Sequence, residues 1–144
     1  MLVVEQLKTI QANALVMYVK LHNLHWNVKG MQFYAVHEMT ESMYNKMAEI
    51  YDDTAERVLQ VGEKPYVTIN DALKVSKIEE DKRVEFSPKE VLEIVLNDYK
   101  TFLNDFKELS IISDDIKDTT TVAFSDEQVA KLEKDIWMIK ASLS

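Results

Sequence analysis

The sequence predicts an all-α fold: four long helices, with a short extra helix in one long connection. Three observations carry this. Only two glycines and two prolines occur in 144 residues, too few for a β-fold, which needs turn residues at every hairpin. Apolar residues recur at 3- and 4-residue spacing in four long segments, the period of a buried helix face. A hydrophobic fraction of 47% supplies a core for one domain and excludes disorder.

Val3, Leu7, Ile10, Ala14, Met17, Leu21, Leu24 and Val28 keep a strict 4-3 spacing. That seam predicts a first helix of about 39 Å at 1.5 Å per residue, stopped by Gly30. A second helix is predicted from about Phe33 to Val61, ending at Gly62. It carries two apolar stripes: Val36, Met43, Met47 and Ile50, and then Tyr44, Ala48, Tyr51, Ala55 and Val58. A helix apolar on two sides packs on two sides, so the second stripe suits a partner subunit. Residues 63–87 read as a long connection with one short helix at Asp71–Ser76, preceded by Thr68. Ser87, Pro88 and Glu90 then give an N-cap, a first-turn proline and a capping box. The third helix is predicted to run to about Leu109, with residues 110–121 as a polar, acidic loop. The fourth carries Val122, Val129, Leu132, Ile136, Ile139 and Leu143. Four long helices with a short first loop and one crossover form a ferritin-like four-helix bundle, and residues 1–144 read as one domain.

The charge balance is 17 Lys+Arg against 25 Asp+Glu, net −8, which disfavours binding to a phosphate backbone through Lys and Arg. No cysteine is present, so disulfides, thiol nucleophiles and cysteine-based metal sites are excluded. No stretch reaches the roughly 20 apolar residues of a membrane span. The N-terminus meets its first charge at Glu5, too early for a signal peptide. Together these predict a soluble, cytoplasmic protein.

Chemistry concentrates around the first turn. His25 and His37 flank Gly30 on the two arms of a predicted hairpin, which puts their rings at one height. Two imidazoles at one level are a start for an iron or zinc site. At 100° per residue from His37, Glu41 falls at about 40°, Asp52 at about 60° and Glu56 at about 100°, all on one face. Asp52 and Glu56 are an i, i+4 pair able to grip one ion. Yet His37 and Asp52 stand 15 residues apart, about 22 Å along a helix, whereas metal–ligand bonds are about 2.0–2.2 Å. Two such helices packed antiparallel about a two-fold axis resolve this. His37 of one chain then lies level with Asp52 of the other, with the axis between Tyr44 and Asn45. The plainer reading is a helix-end histidine and solvated acids, and Glu38, Glu49, Asp53 and Glu63 offer further carboxylates.

The run His22-Asn23-Leu24-His25-Trp26-Asn27-Val28-Lys29-Gly30, then His37-Glu38, then Asp52-Asp53-Thr54-Ala55-Glu56-Arg57 resembles the Dps family of mini-ferritins. The segment Asp135-Ile136-Trp137-Met138-Ile139-Lys140-Ala141 is similar to that family's last helix. The resemblance covers the whole chain and is nearest to the neutrophil-activating branch of Helicobacter-like bacteria. It implies a dodecameric hollow shell with a di-iron oxidation site at each two-fold interface. His25 and His37 would come from one subunit, Asp52 and Glu56 from its neighbour. It implies oxidation of Fe²⁺, commonly by hydrogen peroxide and also by dioxygen, with storage of ferric mineral and protection against oxidative stress. Zinc is the expected competitor. The residue four after His37 is often Asp in the family and is Glu41 here, which makes it a weak or water-mediated ligand. No E-x-x-H motif occurs, so the intrasubunit di-iron site of classical ferritins is excluded.

Softer features complete the reading. His22 reads as a satisfied polar contact or a channel residue, and Trp26 as a ring beside the centre or a packing aromatic. Met39, Met43 and Met47 read as core filling or as oxidant sinks. Asp114, Asp115, Asp118, Asp126 and Glu127 read as pore-lining acids that focus Fe²⁺ or as solvated charge. DNA-binding family members use basic tails, whereas residues 1–9 hold only Glu5 and Lys8. Twelve subunits at −8 would sum to −96, so DNA binding is expected to be weak or absent. A DNA-protecting nucleoid protein and a host-interacting surface protein are the alternatives.

Overall fold

A computed structural model describes residues 1–144. It contains five helices: α1 (Leu2–Asn27), α2 (Phe33–Gln60), α3 (Ile69–Val75), α4 (Pro88–Asp115) and α5 (Thr119–Leu143). α1 pairs with α2 and α4 with α5, while α1 also packs on α4 and on α3. This is the all-α bundle with one crossover that the sequence predicts. None of its helices is long and apolar enough to cross a membrane.

Every member of the 4-3 seam of α1 is buried, because this helix is enclosed by three others. The two stripes of α2 divide as expected. Val36, Met43, Met47 and Ile50 are buried in the core, whereas Ala48 is exposed and Tyr44, Tyr51 and Ala55 are half-buried. Val58 is the exception on that second stripe and is fully buried. Met43 and Met47 fill the core and Met39 packs against it, the plainer of the two methionine readings.

The crossover is tied to the bundle by polar contacts. Gln11 and the backbone of Tyr66 exchange two hydrogen bonds of 2.9 and 3.1 Å. Asn13 accepts from Ser76 Oγ and Lys77 N and donates to Asp105. Thr68 caps α3 through Asp71 N. Ser87 and Glu90 form the predicted capping box at α4.

One prediction fails. Residues 110–121 are not a loop: α4 continues to Asp115 and α5 begins at Thr119. Leu109 and Ser113 are buried and Ile112 packs on the core, so apolar periodicity carries the helix through its acidic end. The real turn is residues 116–118, with Lys117 at φ 60°. Asp118 caps α5 by accepting from Thr121 N, so Asp126 and Glu127 lie beyond the first turn.

Candidate metal centre

Gly30 makes the turn that sets the site. It sits at φ +128°, a conformation that strains any other residue, and a Cβ there would stand 3.1 Å from Pro88 Cδ, so the proline would also have to give way. Beside it the end of α1 is stitched to the entry of α4. Lys29 N donates to Phe86 O at 2.8 Å and Phe86 N to Asn27 O at 3.0 Å. His25, near the end of α1, and His37, in the second turn of α2, are thereby held face to face.

Their rings stack with centroids 3.6 Å apart and planes at 14°. His25 Nδ1 lies 2.7 Å from His37 O, and His37 Nδ1 lies 2.8 Å from His25 O. A carbonyl only accepts, so each Nδ1 carries a proton, and a ring holding that one proton presents Nε2 as its bare nitrogen. A ligating histidine wants this arrangement: the other ring nitrogen donates to a fixed acceptor, which sets tautomer and orientation. His25 is 6% exposed, and His37 is half-buried with Phe33 stacked at 5.0 Å.

The predicted carboxylates assemble separately. Asp52, Asp53 and Glu56 are exposed, and their ligand atoms lie within 4.8 Å of one another. Asp53, at the sequence level only one acid among many, belongs to this cluster. Partial desolvation raises the Asp53 carboxyl above its usual range although the residue is exposed, and the negative charges of Asp52 and Glu49 raise it further. A cation would relieve that repulsion. Imidazole nitrogen and carboxylate oxygen together suit Fe²⁺ or Zn²⁺. Within one chain, however, no histidine joins the carboxylate group. The pairs stand about 22 Å apart on the rise of α2, as the residue count requires. Glu41 lies one turn after His37, exposed, with its carboxylate 3.5 Å from Tyr44 Oη.

The neighbours resolve several alternatives. His22 Nδ1 donates to Tyr18 O at 2.7 Å, and the ring stacks on Tyr44 at 3.8 Å, a satisfied polar contact. Trp26 is 67% exposed, with its ring 5.6 Å from His22. Asp118 is engaged rather than free: Arg57 pairs with it at 2.9 Å. Sequence reasoning missed Thr40 altogether. It is fully buried one turn after His37, and its hydroxyl stands 3.1 Å from His25 Nδ1. Its only sequence signal is a threonine on the mostly apolar buried face of the second helix, a signal that Thr54 shares.

The comparisons with known proteins agree with this architecture. A model of the ferritin-like domain matches residues 4–144. The DNA protection during starvation protein of Helicobacter pylori is 44% identical over 140 residues, 97% of each chain. The protein of that name from Brevibacillus brevis is 38% identical over 132 residues, covering 92% of this chain and 88% of its own. Among solved structures, Helicobacter cinaedi CAIP superposes with a TM-score of 0.97 at 51% identity and 99% coverage of both chains. A Dps protein from Bacillus brevis superposes with a TM-score of 0.94 at 36% identity, covering 99% of this chain and 95% of that one.

Proposed function

The chain belongs to the ferritin-like Dps family, which serves iron storage and DNA protection, and on that premise we propose that it is a peroxide-consuming ferroxidase. Residues 1–144 act as one domain, and twelve copies enclose a hollow shell in which ferric mineral collects. Each oxidation site is shared across a two-fold interface. His25 and His37 of one subunit bind ferrous substrate with Asp52 and Glu56 of the next, and Glu41 acts directly or through water. Asp53 joins the carboxylate side.

The single observation that carries this reading is the reciprocal clamp of His25 and His37. It prepares two bare Nε2 atoms at one height. The half-exposed second stripe of α2 supports a partner on that face. Two ferrous ions each give up one electron to one peroxide, and the O–O bond breaks to the oxidation level of water. Hydrolysis of the ferric products to oxyhydroxide releases protons. Carboxylates lower the potential of iron by favouring the harder ferric ion, while the imidazoles hold ferrous iron beforehand. Iron and peroxide leave solution together, so the hydroxyl radical they would generate is not formed. Zinc competes for the same nitrogen and oxygen donors.

Protection of DNA then follows from chemistry done in the cytoplasm rather than from coating the duplex. The net charge of −8 per chain repels phosphate. Anaerobic loading with Fe²⁺ followed by peroxide tests the function. The wild-type shell should oxidise iron at about two Fe²⁺ per peroxide, the ratio set by a two-electron oxidant, and His25→Ala/Asp52→Ala should lose the fast phase. Unchanged kinetics in that variant would remove the assigned site.

A further inference from the structure

We propose that Thr40 is a positioning residue for the metal centre, holding the His25 imidazole so that its bare Nε2 faces the ion. The proposal rests on the assignment of His25 and His37 as ligands and deepens it. Three distances define a small triangle: His25 Nδ1 to His37 O 2.7 Å, His25 Nδ1 to Thr40 Oγ1 3.1 Å, and Thr40 Oγ1 to His37 O 3.0 Å. The Thr40 hydroxyl also reaches Val36 O at 2.9 Å. Its one proton goes to a carbonyl, either that of Val36 or that of His37, because both are acceptors only. Its lone pairs then face the His25 N–H. The imidazole proton is thus shared between two acceptors on α2 although His25 itself sits on α1.

Two acceptors fix a ring more tightly than one. The stack on His37 sets the plane of the ring, but a single N–H···O contact to His37 O still allows small shifts within that plane, and these move Nε2 on the far side of the ring. The second contact, from a different direction, restrains those shifts. Thr40 is itself immobile: it is fully buried, its β-branched side chain is stiff, and its hydroxyl is bonded into the preceding turn. The carbonyl of His37 excludes the wrong tautomer, and Thr40 sets the angle. Second contacts of this kind change metal affinity by about 10- to 100-fold when removed.

Thr40→Val keeps the shape and removes the acceptor; Thr40→Ser keeps the acceptor. Both are compared in the assembled protein with wild type and with His25→Ala, using Co²⁺ as the probe. The readouts are calorimetric affinity, the visible ligand-field band, and the imidazole ¹⁵N–¹H resonance of His25 in metal-free protein. Thr40→Val should bind Co²⁺ about 10-fold more weakly, with a shifted band and a broadened or displaced Nδ1–H resonance. Thr40→Ser should restore all three. Wild-type affinity and resonance in Thr40→Val, with binding lost in His25→Ala, would overturn the role of Thr40 and leave the ligand assignment standing. Binding intact in His25→Ala would overturn the assignment itself. If Thr40→Val does not fold, Thr40→Ala supplies the acceptor-free variant, and equal affinity in Thr40→Ala and Thr40→Ser overturns the proposal.

Discussion

A shared site can be tested by building it from two defective halves. One variant carries His25→Ala/His37→Ala and keeps its carboxylates; the other carries Asp52→Ala/Glu56→Ala and keeps its histidines. Each alone should bind no Co²⁺ at the centre and oxidise Fe²⁺ slowly. The 15 residues between His37 and Asp52 place the two half-sites about 22 Å apart in one chain, so neither variant can repair itself. The histidine side is rigidly clamped and the acids lie on one exposed turn, so each half survives loss of the other. When the two are dissociated, mixed in equal amounts and reassembled, a site works if its histidines come from the second variant and its acids from the first. Those chances are one half each, so about one quarter of sites are restored across a two-fold interface. Anaerobic Co²⁺ titration of the reassembled shell should therefore reach about 25% of the wild-type stoichiometry, and the fast Fe²⁺ phase should have about the same amplitude. No recovery above the separate variants would refute the intersubunit site. Full binding in either variant alone would refute the ligand set.

Other outcomes follow from the core. Lys20 and Asp98 form an ion pair of 2.7 Å with both side chains over 90% buried, and burial holds the Asp98 carboxyl above its usual range against the pull of Lys20. Lys20→Met strands a buried charge and should cost about 3–5 kcal/mol in chemical denaturation, whereas Lys20→Met with Asp98→Leu should recover most of that loss; equal losses in both would exclude the account. The Tyr99 hydroxyl is buried without a hydrogen-bond partner, and burial drives its pKa upward. Tyr99→Phe should leave stability unchanged or raise it by about 1 kcal/mol, and a clear fall in Tm would reveal a partner. Burial raises the Asp118 carboxyl, but hydrogen bonds from Thr121 and the charge of Arg57 outweigh it and hold the group below its usual range. A depressed carboxylate stabilises the fold above its unfolded pKa of about 4 and loses that contribution as pH falls through the folded value. The Tm gap between wild type and Arg57→Gln should therefore be widest near neutrality and shrink below about pH 4; parallel profiles would contradict it.

The helices were legible because their signals are local. The seam from Val3 to Val28 repeats without interruption, and Ser87-Pro88-Lys89-Glu90 carries its own cap chemistry. The turn at Gly30 follows from backbone freedom at one residue. The end of α4 was not legible in the same way. Asp114 and Asp115 read as loop because acids are unfavourable at a helix C-terminus, yet burial of Leu109 and Ser113 against the bundle extends the helix over them. Tertiary packing overrode the local preference.

The candidate centre divides along the same line. Residue spacing by itself determined that His25 and His37 face each other across a short turn, that Asp52 and Glu56 share a helix face, and that the two pairs cannot meet in one chain. Those are consequences of a 1.5 Å rise and a 3.6-residue period. Only the folded chain decided which ring nitrogen stays bare, because that depends on carbonyls 12 residues away. It alone brought Thr40 against His25, crowded Asp53 among its neighbours, and turned Asp118 toward Arg57. A sequence orders residues along helices, but hydrogen bonds between helices depend on ångström-scale register that only packing sets.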